Sequence, residues 1–263
     1  SHPELLEWLA GEFPRQQWST KRMLRNIMLS SSYQQSSKGR SDLQQLDPRN
    51  KLIARQSRLR VEAEVVRDLA LAASGLLSHK IGGPGVYPPQ PDGVYSFTQG
   101  KKTWITSPGE DRYRRGMYTF FFRSAPHPLL SVFDVPKFNQ TCTQRSRSNT
   151  PLQALTVAND EALYEASQVL AARVLREVDE SEGLEARLVR AFRLCLCRPP
   201  EENELARIHA YFNEEQNRFR SSSDDVQAVF SLGPDASPEN PEAAAWVSVA
   251  RLLVNLDEFI TRE

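Results

Sequence analysis

The sequence predicts a mainly α fold: a helical single domain whose irregular centre, rich in Gly, Pro and aromatic residues, carries a small antiparallel β element. Three observations predict it. Apolar residues recur at helical spacing in two blocks, 1–80 and 150–263. Between them, residues 82–116 hold seven of the twelve glycines, and 84–136 hold eight of the seventeen prolines. Residues 87–133 also hold ten of the 23 aromatic side chains. Such a layout reads as N-terminal helices (1–80), an irregular centre (81–149) and C-terminal helices (150–263) in one unit.

Pro3-Glu4 opens a first helix with Leu5, Leu6, Trp8, Leu9 and Phe13 as its apolar residues. Ser19 is an N-cap for a second, in which Leu24, Ile27 and Met28 follow at helical spacing, and the serine-rich run 30–37 ends it. A third helix is expected over 58–77, with Val61, Val65, Leu69, Ala72 and Leu76 on one stripe. Beside that stripe Arg60, Glu64 and Asp68 stand four apart, with Arg67 adjacent, a spacing that suits an ion-pair ladder.

Gly82-Gly83-Pro84-Gly85 and Pro88-Pro89-Gln90-Pro91-Asp92-Gly93 are turn chemistry. Lys102-Thr103-Trp104-Ile105-Thr106 and the run from Gly116 to Phe122 read as two short strands of a hairpin. Thr150 caps and Pro151 opens the next helix, whose apolar face is Leu152, Leu155, Leu163, Ala166, Leu170 and Val174. Leu184 to Leu196 forms another, stopped by Pro199-Pro200, and a further one runs through Leu205, Ile208 and Phe212. Residues 221–225 and 233–238 are loops, and Glu242 to Phe259 closes the chain as a helix.

The 263 residues carry 33 basic and 33 acidic side chains, so the net charge is zero, but the charge is unevenly spread. Residues 101–147 hold nine basic against three acidic residues, net +6, and 160–263 hold 21 acidic against 11 basic, net −10. This asymmetry fits either internal pairing or an anion-binding face. No run approaches the roughly 18 apolar residues of a membrane span. The opening Ser1-His2-Pro3 has neither Met nor a signal-like segment and reads as a fragment or processed product.

Cys142, Cys195 and Cys197 are odd in number and lack a CxxC or CxxCH spacing, so three unpaired thiols are expected. His2, His79, His127 and His209 are widely separated, and no metal site is expected of them. There is no nucleophile elbow and no Walker loop.

Two clusters remain. In 109–116, Glu110 and Asp111 adjoin Arg112, Tyr113, Arg114 and Arg115; in 145–149, Arg145 and Arg147 precede a helix N-terminus. One reading fastens loops to the helices through a charge network of Arg60, Glu64, Arg67, Asp68, Glu110 and Asp111. A second is a groove for an anionic or sugar ligand, with Arg112, Tyr113, Arg114, Arg115, Arg145, Arg147 and Trp104 as its contacts. The third is acid/base catalysis by Glu110 or Asp111, as in a carbohydrate-active hydrolase. The function expected is a non-catalytic binding or docking module for an anionic glycan or a partner protein, with the hydrolase and a purely structural scaffold for upstream modules as alternatives.

Trp104 with the stretch from Ser107 to Phe120 resembles the central motif of the planctomycete-type PSD-one family, domain of unknown function 1553. The likeness continues through Phe133-Asp134, Cys142-Thr143, 149–155 and Asn159-Asp160, reaching Arg60 to Asp68 upstream and 256–259 downstream. Cys197 and 125–128 depart from the family pattern. The resemblance implies a domain of a large, exported, periplasmic or extracellular protein, with no established catalytic residues. It implies no cofactor in this chain, any c-type haem lying in an upstream module. Its expected partners are acidic polysaccharide or other modules of the same protein, and not nucleic acid.

Overall fold

A computed structural model describes residues 2–96, 103–230 and 240–262. It is mainly helical, with eleven α-helices among the described residues. Leu59–Arg60 (β1) and Thr261–Arg262 (β2) pair as a small two-stranded antiparallel sheet. The chain divides into two units, Ser1–Leu59 with Thr261–Glu263, and Arg60–Ile260.

The first unit holds α1 (Pro3–Arg15), α2 (Thr20–Met28) and α3 (Ser41–Leu46). Ser19 caps α2 as its sequence position suggests, its hydroxyl accepting from the Arg22 N–H at 3.3 Å.

The second unit contains α4 (Ala63–Ser74), α5 (Pro128–Val132), α6 (Pro151–Asn159), α7 (Glu161–Glu177), α8 (Gly183–Leu196), α9 (Glu202–Arg220), α10 (Ser223–Phe230) and α11 (Pro241–Val254). At its heart is α11, which packs on α7 and α9. Ala243, Ala244, Ala245, Val247, Val249 and Ala250 are all buried, and a helix apolar on every side belongs inside. Its small residues let neighbours approach, while Trp246 meets Phe212 at 5.0 Å. Leu163, Leu170, Leu188, Phe192 and Leu253 complete that core.

Several elements depart from the sequence reading. The helix expected over 58–77 starts only at Ala63 and stops at Gly75, which takes the left-handed C-cap (φ +84°). Its buried face is Ala63, Val66, Arg67, Ala70, Leu71, Ala73 and Ser74, rotated from the expected Val65–Leu69–Ala72 stripe. That face is the small-residue stripe Ala63–Val66–Ala70–Ala73, with Arg67 buried beside it and donating to the Arg112 carbonyl.

The helix opened by Pro151 breaks at Asp160, whose carboxylate caps α7 by accepting from Ala162 and Leu163 N–H. Leu152 and Leu155, expected on the apolar face, are therefore exposed on α6. Ser223, expected in a loop, begins α10, α11 ends at Val254, and the loop expected over 233–238 lies outside the described residues.

The hairpin expected in the centre is absent from the described residues. Thr103 to Thr106 and Thr119 to Phe122 are not strands, Gly116–Tyr118 is a 3-10 turn, and Lys102 lies outside the described residues. Instead, isolated parallel bridges join Ser78 to Arg114 and Val86 to Thr119. Turn-forming prolines and glycines keep the chain from extending far enough to build a ladder, so side chains do the fastening.

Candidate functional site

The two arginine clusters lie in the second unit, against α4 and α7. Arg67 projects from α4 and is nearly fully buried; its Nη2 donates to the Arg112 carbonyl at 2.6 Å. Burial lowers the Arg67 pKa, and the nearby carboxylates of Asp160, Asp68 and Glu165 oppose that shift. Burial likewise raises the Asp160 pKa, which its two capping N–H groups and Arg67 counter.

Glu165 on α7 is only 5% exposed and takes up the next two residues of the central loop. Arg112 grips it bidentately, Nε donating at 3.1–3.2 Å and Nη2 at 2.8 Å. The Tyr113 hydroxyl donates to the same carboxylate at 2.7 Å. Burial, reinforced by Glu165, raises the tyrosine's pKa, so it remains a donor.

Arg114 is 1% exposed and is held by carbonyl oxygens of Lys80, Gly82 and Pro84. Its guanidinium also lies 3.7 Å from the centre of the Tyr118 ring, a stacked cation–π contact. Gly82 and Gly83 stand at φ +77° and +88°, the left-handed region that glycine enters without strain. The Gly-Gly-Pro turn is thus a receptor for one guanidinium.

Arg115 Nε and the Gly116 N–H share Asp68, at 3.1 Å and 2.6 Å. Asp111 pairs with Lys80 at 3.1 Å, and Glu110 is exposed with no ion pair among the described residues. Arg145 lies 2.7 Å from Glu64 and 3.3 Å from Glu62, and Arg147 lies 3.6 Å from Glu62. Arg60 pairs with Asp257, at 2.6 Å, and lines a small cleft together with Arg145 and Arg147. The expected in-helix ladder is therefore replaced by contacts that each reach a different part of the unit.

The stretch resembling the family motif is thus clamped from Asp111 to Gly116. The family model for PSD1, protein of unknown function (DUF1553), matches residues 1–212. The chain belongs to the PSD1 family. No curated protein and no solved structure matches it. The PSD1 match ends within α9, so the central helix α11 lies beyond it.

In this PSD1 chain the aromatics of the centre form a second layer around Trp104. Its Nε1 donates to the Pro88 carbonyl at 2.7 Å, and Tyr87 meets its ring edge-on at 5.0 Å. Ser107 brackets Tyr87, accepting its N–H at 2.9 Å and donating to its carbonyl at 2.8 Å. His127 Nε2 lies 2.9 Å from the Pro89 carbonyl. A carbonyl only accepts, so Nε2 carries the proton. Three consecutive residues, 87–89, are thereby gripped by three side chains, and burial pushes the His127 pKa down to about 4.

Sequence reasoning missed Glu165, Asp160, Lys80 and His127. No spacing connects Glu165 with Arg112, 53 residues earlier, and only a carboxylate amid the buried positions of α7 hints at a partner. Among the described residues, no three His, Cys, Asp or Glu side chains gather as metal ligands.

Proposed function

We propose that this PSD1 domain is a non-catalytic docking module of a longer exported protein. It works outside the cytoplasm, and any c-type haem belongs to a neighbouring module. The observation that carries this reading is the Arg112–Tyr113–Glu165 contact: the residues best suited to hold an anion are occupied by the domain's own carboxylate. Arg114, Arg115, Arg145 and Arg147 are engaged in the same way by carbonyls or carboxylates. Paired guanidinium groups rigidify the loop and present a preset surface, which suits contact with other modules of the same protein.

Catalysis by Glu110 and Asp111 gains no support from their setting. Asp111 is tied to Lys80, and Glu110 is exposed with no ion pair among the described residues. Chromatography on acidic polysaccharide tests the reading. The arginines named above contribute nothing to retention on this account, so Arg115→Gln elutes at the salt concentration of the unmodified chain. Earlier elution of that variant with an unchanged melting temperature would favour an anionic glycan as ligand.

A further inference from the structure

Helices α1 and α2 in the first unit leave apolar side chains uncovered. No residue of either helix is buried. Trp8 is 53% exposed, Trp18 68%, Leu24 53%, Ile27 37% and Met28 54%. At 100° per residue, Met23, Leu24, Ile27 and Met28 share one side of α2, and Lys21, Arg22 and Arg25 share the other. That polar side carries three cations and no acid, and residues 1–59 as a whole hold ten basic against five acidic side chains, net +5.

We propose that α2, with the Trp18 turn that precedes it, forms a docking surface for an anionic lipid bilayer, lying in its interface. Helix α1, which carries Glu4, Glu7 and Glu12 against Arg15, adds apolar side chains and no cationic face. The charge points to lipid: a headgroup layer is of one sign, like the cationic side of α2, whereas the rims of protein interfaces mix signs. The tryptophans point the same way, because an indole ring with an apolar body and one N–H donor favours the headgroup boundary. Arg and Lys stems reach from the sides of such a helix to the headgroups while its apolar face enters the acyl boundary.

The helices have 13 and nine residues, too short to cross the roughly 30 Å hydrocarbon core, so they lie on the membrane. Phe13 and Trp18 meet edge-on at 5.3 Å, and the Trp18 N–H donates to the Phe13 carbonyl at 3.0 Å, which fixes the turn joining the two helices. The surface is therefore prebuilt. This inference is independent of the reading given for the arginine loop.

The test is co-sedimentation of the whole 263-residue chain with phosphatidylglycerol–phosphatidylcholine vesicles and with phosphatidylcholine alone. The expected result is binding to the anionic vesicles, weakened by salt and accompanied by a blue shift of tryptophan emission. Removing the charge in Lys21→Gln/Arg22→Gln/Arg25→Gln weakens it on the order of tenfold or more, and Leu24→Glu/Met28→Glu abolishes it. All five positions are solvent-exposed, and matched far-UV circular dichroism checks the fold. Quenching of tryptophan by brominated lipid reads insertion in the unmodified chain. No binding to anionic vesicles, no quenching, or equal binding by the triple variant overturns the proposal. So does lipid-free self-association that Leu24→Glu/Met28→Glu abolishes, which would assign the face to a second copy of the chain.

Discussion

Gly116 lies against Glu64 so closely that a Cβ added to it would stand 2.5 Å from the Glu64 carbonyl oxygen and 2.8 Å from its Cα. Backbone touches backbone here, and neither can step aside. The approach lets the Gly116 N–H and Arg115 reach the same Asp68 carboxylate, so one glycine sets the distance between the central loop and α4. Gly116→Ala is therefore expected to cost about 2–4 kcal/mol of unfolding free energy, by overpacking and by loss of the Asp68 contacts. Urea unfolding measures it, and a midpoint equal to that of the unmodified chain would contradict the close approach.

Glu165 receives three donors from two residues. Glu165→Ala leaves the Arg112 guanidinium and the Tyr113 hydroxyl without their acceptor, at a cost of roughly 3 kcal/mol. Glu64→Ala costs less, about 1 kcal/mol, since Arg145 keeps Glu62 and that pair is partly solvated. Glu110→Ala changes little, as that side chain is exposed. Thermal unfolding of the three variants should rank them in this order; a reversed order rejects the network.

His127 couples stability to acid. Its folded-state pKa of about 4 lies below the ordinary value of 6.5. The unfolded chain therefore binds its proton first as the pH falls. Stability attributable to His127 is complete above pH 6.5 and is lost between about 6.5 and 4, amounting to about 3 kcal/mol over that window. His127→Gln keeps a donor for the Pro89 carbonyl but cannot titrate there. Its stability should fall less steeply over the same window, and parallel curves for the two proteins would reject the assignment.

The cysteines separate by burial. Cys142 and Cys197 are exposed, and Cys195 is buried with its pKa pushed up to about 12 by burial. Two thiols should react with a disulfide reagent in the native protein, and the third only on unfolding. Three fast thiols, or fewer than three in denaturant on non-reduced monomer, contradict this arrangement.

What was legible in the sequence was local. Ser19, Pro151 and the Leu163–Ala166–Leu170–Val174 stripe identify helices because capping and periodicity act within a few residues. The aromatic run 118–122 also has strand-like composition, yet among the described residues its neighbours in space are a Gly-Pro turn and the edge of α4, not a second strand. Strand formation depends on a partner, and composition does not reveal one. The charge clusters were visible as clusters, and Glu64, Arg67 and Asp68 do meet the loops. The ion pair of Arg60 was not legible, because Asp257, its partner 197 residues away, leaves no trace in local spacing.

The central claim is that the arginines of the PSD1 motif are spent inside the fold. Arg112→Gln tests it most directly when unfolding free energy and retention on acidic polysaccharide are measured on one preparation. The expected result is a loss of roughly 3 kcal/mol of stability, from breaking the bidentate contact with Glu165, with elution from the polysaccharide unchanged. Stability equal to the unmodified chain together with earlier elution would contradict it, for the guanidinium would then be held by a ligand and not by Glu165.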